Sequence, residues 1–578
     1  MNDSLQCHLK LLKMFSKLII FCVFLLFECS WAAQKKNVVV IVADDLGWND
    51  VSFHGSNQFL TPNIDILAYS GVILHNYYTL TVCSPSRSAL MTGIHPIHTG
   101  MYHSVIHDGE PFGLPLNLKI LPEYLKERGY QTRAVGKWHL GFYKAAYTPI
   151  HRGFDSHFGY WGSHLDYYRH DAAEFPVLQS IGYDFRRDMN TTWDYKGQYA
   201  TDLFTQESVD IINSHNVSEP LFLYLAHLAS HAGNPRHPLQ APAEIIKKLS
   251  YIEDKKRRTL AAMVWKLDES VGKVVQALAS RNMLNDTIII FTTDNGGPGA
   301  GQDGNYASNW PLRGMKATLW EGGVRGTAFV WSADLPHSRV SHALMHVQDW
   351  LPTILGAVDE NITSDLVLPK GSVGLDGRNM WPVLKGDKES EYNELIIQRD
   401  RVSGQSALRK DQWKLIKFGK KNNWNKWYGP SGRNKTYSSY NETAVKDSLA
   451  GTALSGSNFE IPTDERISEL RVNVTISCKY CNNSTNGTNC TRCVVSKNGM
   501  CLFDVFQDPC EMNNLADKYP RILTNLNETM SKYIPVPPRN RLVDPRADPS
   551  LWNYTWVNWM DYVEKFTHEV KINVKLHA

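Results

Sequence analysis

Seven cysteines lie beyond residue 32, and six of them crowd into one stretch: Cys478, Cys481, Cys490, Cys493, Cys501 and Cys510. The seventh, Cys83, stands alone far upstream. A buried, inert thiol is the plain explanation for it, and a chemically special side chain is the sharper one. Its surroundings read Cys83-Ser-Pro-Ser-Arg-Ser-Ala-Leu-Met-Thr-Gly93. Pro85 suits a first helical turn and Gly93 a helix stop. Cys83 then sits at a helix N-terminus, where aligned amides favour an anionic or polarised group, and a thiolate nucleophile is one chemistry open to it. Arg87, four residues on, shares its helical face.

Other polar residues with chemistry to offer stand directly after apolar runs. Asp44 and Asp45 follow Asn37–Ala43, a continuous β-branched run. His227 and His231 follow Pro220–Ala226, and Asp294 and Asn295 follow Thr287–Thr293. Gly136-Lys-Trp-His139 follows the shorter Thr132–Val135. Each alone could be a cap or turn former. Runs of this kind are strands buried on both faces. Helical patterns separate them, over Ile120–Arg128, Tyr199–His215 and, most clearly, Arg258–Met283, where Leu260, Val264, Leu267, Val271, Val274, Val275 and Leu278 recur at helical spacing. The alternation predicts an α/β fold with a mainly parallel sheet. In such sheets ligands bind beyond the carboxyl ends of the strands, where these polar residues stand. After about residue 385 the texture changes. Glu394–Gln398 and Trp413–Phe418 read as antiparallel strands, and 419–460 as long loops.

Export follows from the N-terminus. Lys10, Lys13 and Lys17 precede ten apolar residues, Leu18–Phe27, and Ser30-Trp-Ala-Ala33 has small cleavage-site residues. Such a segment is a signal peptide, too short to span a bilayer, with an uncleaved anchor as the alternative. Thirteen Asn-X-Ser/Thr sequons follow, among them Asn190, Asn216, Asn285, Asn361, Asn434, Asn441, Asn527 and Asn553. In an oxidising compartment the C-terminal cysteines form disulfides in preference to the zinc site that Cys478-X-X-Cys481 and Cys490-X-X-Cys493 could otherwise make, with the connectivity open. A balance of 61 Lys+Arg against 58 Asp+Glu, net +3, gives no footing for nucleic acid.

The lone cysteine leads to a family. Cys-X-Pro-X-Arg followed by Ser-Ala-Leu-Met-Thr-Gly resembles the sulfatase signature, and three further stretches resemble the same family in its order. They are Ala43–Trp48; Gly129-Tyr130 with Gly136–Gly141; and Thr293–Gly297 with Leu312–Lys316 and Trp320–Arg325. Phe222–Ala226 and Asn309–Gly314 resemble the arylsulfatase B (N-acetylgalactosamine-4-sulfatase) group. The resemblance implies an alkaline-phosphatase-like sulfatase domain over 33–385, with a large mixed, mainly parallel sheet flanked by helices; the signal peptide over 1–32 precedes it and the smaller antiparallel-sheet domain read from the texture follows over 386–578. A Cys-rich, glycosylatable insertion around 470–510 departs from the family pattern.

It also implies a mechanism. A formylglycine-generating enzyme would oxidise Cys83 during maturation. The aldehyde hydrates, one hydroxyl attacks sulfur, the alcohol leaves, and the second hydroxyl is deprotonated to expel sulfate. Asp44, Asp45, Asp294 and Asn295, with the modified Cys83, match the metal ligands, all offering oxygen to a hard cation such as Ca²⁺. Lys137 and Lys316 match sulfate-binding lysines, Arg87 the residue that holds the diol, and His139 the histidine that handles its proton. For protonation of the leaving oxygen, His231 fits the family spacing better than His227. The implied substrate is a sulfated glycan or aryl sulfate, first of all N-acetylgalactosamine 4-sulfate units of glycosaminoglycans. The implied location is the lysosome or the extracellular space, with no stable membrane insertion after signal cleavage. A phosphodiesterase or phosphonate hydrolase of the same fold, and a catalytically silent secreted glycan-binding protein, are the alternatives.

Overall fold

The strand Asn37–Ala43 is buried along its whole length, because every side chain it carries is apolar apart from Asn37 and both faces are covered. Leu221–Ala226 lies parallel on one side and Thr287–Thr293 parallel on the other. In the computed structural model, which describes residues 35–174, 180–301, 304–359, 374–386, 388–390, 392–419, 424–434, 436–478, 491–493 and 499–562, these three form the centre of a ten-stranded sheet. The signal segment, Asn361, Cys481, Cys490, and the sequons Asn482, Asn483, Asn486 and Asn489 fall outside the described residues.

Gln131–Lys137 and Ser156–Tyr160 extend the sheet in parallel beyond Leu221–Ala226. On the opposite flank Ala328–Ser332 runs antiparallel to Thr287–Thr293, and Val72–Leu74, antiparallel to that strand in turn, regains the central direction, so the sheet is mixed but mainly parallel. The strand pleat sends Val39 and Ile41 to one face and Val38, Val40 and Val42 to the other. Helices Pro62–Ser70, Ala200–Ser214 and Lys255–Ser280 cover the first face, and Cys83–Thr92, Leu121–Lys126 and Trp350–Val358 the second.

The helix expected over Arg258–Met283 spans Lys255–Ser280, beginning and ending three residues earlier. Asp254 caps it by accepting the Lys256 and Arg257 amides, so the cap, not the stripe, sets where it starts. Residues 419–460, expected as long loops, contain two helices, Glu442–Lys446 and Leu449–Gly456. Asn441 and Ser448 cap them, while Val445, Ala450 and Leu454 join the core beneath Lys255–Ser280. Helices this short are stabilised by tertiary burial, which local composition does not display.

A four-stranded antiparallel sheet follows: Glu394–Arg399, Ser406–Lys410, Trp413–Lys417 and Met500–Asp504. Helix Pro520–Lys532 buries Leu526 and Met530 against its Ile396, Leu408, Leu415 and Leu502. Two cystines, Cys478–Cys510 and Cys493–Cys501, tie the Cys-rich segment to this unit. Each takes one cysteine from a C-X-X-C pair, so neither cysteine is available as a zinc thiolate.

Gly136 shows how closely the parallel strands approach. Its φ is +97°, and a β-carbon there would lie 1.9 Å from the Ala226 carbonyl oxygen. Gly129 has φ +81° with nothing within 4 Å. Gly136→Ala should therefore lower stability by about 1–3 kcal/mol more than Gly129→Ala, measured by denaturant unfolding. Equal losses would show that the contact carries no weight.

Candidate functional site

Asp44, Lys137, His227 and Asp294 stand at or just beyond the same end of four neighbouring parallel strands. The ladder continues past the strands: the Asp44 amide donates to Ala229 O (3.0 Å), His227 to Val42 O (2.9 Å) and Asp294 to Ala43 O (3.3 Å). The chain then turns sharply. Asp45 and His139 both adopt positive φ, 58° each, a conformation that side chains rarely take and that is held here by the surrounding structure.

Cys83 opens the helix Cys83–Thr92, which stops at Gly93 in the left-handed region. It is free and buried, and its thiol donates to Asp44 Oδ1 at 3.5 Å. Burial, reinforced by the Asp294 charge, pushes the thiol well up. The side chain is held as a neutral thiol, and the simple thiolate nucleophile open to the sequence is not favoured.

Arg87, one turn along, donates from Nε and Nη2 to Asp294 Oδ2 (3.1 and 2.9 Å) and lies 3.6 Å from Asp44 Oδ1. Lys137 Nζ donates to Asp44 Oδ2 at 2.6 Å, and Lys316 Nζ to Asp45 Oδ2 at 2.7 Å. Three buried carboxylates thus face three cations. Burial alone would raise Asp44, but Lys137, Arg87 and Lys316 together bring it below the usual carboxylate range. Asp45, with Lys316 as its near cation and two carboxylates beside it, is pushed by burial up to about 7. Asp294 is also raised, by burial and then by the Asp44 charge.

The histidines divide. His231 Nε2 accepts from Lys316 Nζ at 3.2 Å and lies 3.4 Å from Asp45 Oδ2, while its Nδ1 donates to Ala232 O at 2.6 Å. His139 Nε2 donates to Ile106 O at 2.9 Å, and its Nδ1 is buried without a hydrogen-bond partner. Burial lowers both, aided by Lys316 at His231 and by Lys137 at His139, so both rings are neutral. His227 lies apart from this network, sharing a hydrogen bond with Ser270 of the long helix at 3.0 Å. Lys316 and His231, 7% and 8% exposed, mark the edge nearest solvent, whereas Asp44 and Asp45 are fully buried.

Side chains that could hold a cation converge here. One ligand atom from each of Asp44, Asp45, Cys83 and His231 lies within 4.8 Å of the others. Asn295 Nδ2 sits 2.6 Å from Asp45 Oδ1, and Asn295 Oδ1 is buried without a partner. A half-turn of the amide would set its oxygen beside the carboxylate, an arrangement that a cation stabilises. Asp294 reaches this group through the Asp45 amide, which donates to its Oδ1 at 3.3 Å.

Two further asparagines position the site, one of them, Asn309, within the arylsulfatase B-like stretch though without a site role expected for it. Asn305 donates to both Asp45 O (3.0 Å) and Ser230 O (2.8 Å), joining two site loops. Asn309 holds Gly297 through its amide and carbonyl (3.0 and 2.7 Å). A single Asn in a Gly-rich loop looks the same whether it makes a turn or staples two of them.

The family model described as Sulfatase matches residues 36–360. The chain is 35% identical to arylsulfatase J of Mus musculus over 549 residues, 91% of this chain and 80% of that protein. It is 30% identical to N-acetylgalactosamine-6-sulfatase of Homo sapiens over 379 residues, 61% of this chain and 67% of that protein. The crystal structure of Ps i-CgsB with k-i-k-neocarrahexaose shares the fold, with a TM-score of 0.63 at 24% identity, covering 92% of this chain and 97% of that one.

A cation that binds this cluster should stabilise the fold by mass action, by about 2.7 kcal/mol at a hundredfold excess over Kd. Calcium added to chelator-treated protein should raise the unfolding temperature, and Asp294→Ala should remove the rise. An unchanged calcium response in that variant would exclude Asp294 as a ligand.

Proposed function

The chain belongs to the sulfatase family, and from that premise we propose that it hydrolyses sulfate esters of sugars at this site, through a formylglycine made from Cys83. The observation that carries the proposal is the charge-balanced cluster of Asp44, Asp45 and Asp294 against Arg87, Lys137 and Lys316, closed around a lone free cysteine.

Asp44, Asp45, Asp294, Asn295 and the modified Cys83 would hold a calcium ion, whose charge would polarise a sulfate oxygen and favour ionisation of a neighbouring hydroxyl. Cys83, once oxidised to formylglycine, would offer in its hydrate a hydroxyl for attack on sulfur and a second whose deprotonation would release sulfate. The remaining work falls to the chain's own side chains. Arg87 fixes Asp294 and Asp44 in place and faces residue 83 from one helical turn away. Lys137 and Lys316 bind the sulfate anion and the charge that develops on it. His139, neutral in its buried setting, accepts the proton of the hydrate. His231 protonates the leaving oxygen. Burial and the Lys316 charge oppose its protonation in the resting site, and an arriving sulfate that pairs with Lys316 weakens that second opposition.

For the sugar, the arylsulfatase B-like stretches Phe222–Ala226 and Asn309–Gly314 favour N-acetylgalactosamine 4-sulfate in a glycosaminoglycan. The likeness to N-acetylgalactosamine-6-sulfatase favours the 6-sulfate of the same sugar as a second reading. The two cystines and the exposed sequons Asn190, Asn216, Asn285, Asn434, Asn441 and Asn553 support passage through the secretory pathway to the lysosome or the cell exterior. There Cys83 would meet a formylglycine-generating enzyme. Among the described residues no helix is long and apolar enough to cross a membrane.

The maturation step is tested by mass spectrometry of the peptide spanning residues 80–93 from secreted protein. We expect sulfur replaced by an aldehyde oxygen. Cys83→Ser should abolish turnover of an aryl sulfate, and full activity in that variant would reject the mechanism. An aryl phosphate turned over faster than the matched aryl sulfate would favour the phosphodiesterase alternative.

General acid catalysis typically contributes about 10²–10⁴ in rate. His231→Ala should therefore slow substrates with poor leaving groups far more than activated aryl sulfates. His227→Ala should leave that selectivity unchanged. The reverse pattern would transfer the acid role to His227.

A further inference from the structure

The C-terminal arm, residues 533–544, has no regular secondary structure, yet it runs alongside residues 97–110 and is tied to them repeatedly. The Val536 amide donates to Ile97 O (2.8 Å), Tyr102 Oη donates to Val536 O (3.0 Å), and the Asp544 amide donates to Gly109 O (2.8 Å). Between these ties Arg539 enters the protein. Its side chain is 2% exposed and pairs through Nε with Glu110 Oε2 at 3.1 Å, and the Glu110 side chain is wholly buried. Arg541 pairs with the other oxygen of Glu110 at 3.2 Å.

The far end of Arg539 meets backbone. Nη2 donates to the carbonyl oxygens of Ser104 and Val105. The Val105 carbonyl and the Ile106 amide belong to one planar peptide unit. That Ile106 N–H donates to Ser84 Oγ at 3.1 Å, and Ser84 is the residue after Cys83. The next carbonyl, Ile106 O, accepts His139 Nε2. A single peptide plane is thus gripped on one side by Arg539 and on the other by the helix that carries Cys83, and the residue it leads into sets the His139 ring.

We propose that Arg539 is a positioning residue for the reaction: anchored by Glu110, it fixes the Val105–Ile106 peptide and through Ile106 O holds His139 in the orientation that handles the proton at residue 83. The inference rests on the role proposed above for His139. A guanidinium is suited to the task because its planar fork serves Glu110 and two carbonyls at once, which a lysine ammonium on a flexible stem does not reproduce. Without it the His139 ring keeps its partner, Ile106 O, but that carbonyl loses its fixed place. The rate of the proton-handling step then falls while sulfate binding by Lys137 and Lys316 is untouched.

The test is a double-mutant cycle on the mature, formylglycine-bearing enzyme with an aryl sulfate. Arg539→Gln should lower kcat by about 10- to 100-fold, as loss of an orienting partner does, with KM little changed and formylglycine occupancy at wild-type level. In a His139→Ala background the same substitution should add no further loss. Independent, multiplicative losses, or a loss confined to KM, would overturn the proposal. If His139→Ala alone leaves kcat intact, the role of His139 fails, and this inference falls with it by a distinguishable result. Should Arg539→Gln not fold because Glu110 keeps only Arg541, Arg539→Lys, which retains the charge beside Glu110, serves instead. A kcat equal to wild type in that variant would likewise overturn the proposal.

Discussion

Everything in this protein is arranged around an electrostatic constraint. Asp44, Asp45, Asp294, Arg87, Lys137 and Lys316 are all buried, and charges removed from water are tolerated only when each faces a partner with good geometry. Any one of them left alone would be strongly destabilising. The constraint explains the rigidity of the surroundings. Strand ends that continue their hydrogen-bond ladder into the site, asparagines that staple loops together, and a helix N-terminus pointed at the cluster all remove freedom from groups whose charges must stay matched.

The sheet makes this affordable. Its central strands are so apolar that they are buried on both faces, which leaves polar residues room only beyond their ends. Parallel pairing places those ends side by side. Residues separated by roughly the length of the whole sulfatase region therefore converge, and the helices on both faces shield the cluster from water. The two neutral histidines sit where that shielding is uneven. His139 is enclosed, and His231 lies at the more open edge with Lys316, the arrangement expected if one handles a proton of the enzyme and the other a proton of a departing substrate.

The smaller sheet and the C-terminal arm are less peripheral than their place in the chain suggests. Helices within 442–474 join the core of the large sheet. Lys414 of the small sheet is buried between Glu321, within the Trp320–Arg325 stretch, and Glu511, next to a cystine. The arm beyond residue 532 reaches back to the loop that contacts both Ser84 and His139. The site is thus built largely by the first part of the chain but held in shape by the last.

Much of this was legible in the residues. The strands Asn37–Ala43 and Thr287–Thr293 have the boundaries their runs indicate, because a short β-branched run between turn formers suits a strand buried on both faces. The lone Cys83 within Cys-X-Pro-X-Arg, and carboxylates at strand ends, are local chemistry that needs no coordinates to be noticed. Which histidine meets Lys316, that Cys478 pairs with Cys510 and Cys493 with Cys501, that residues 419–460 contain packed helices, and that Asn305, Ser84 and Arg539 touch the site's scaffold were decided only by the tertiary structure. The physical reason is the same in each case. Periodicity and spacing report the character of a residue and its near neighbours along the chain, whereas a hydrogen bond between Arg539 and Val105 depends on where two remote segments come to rest.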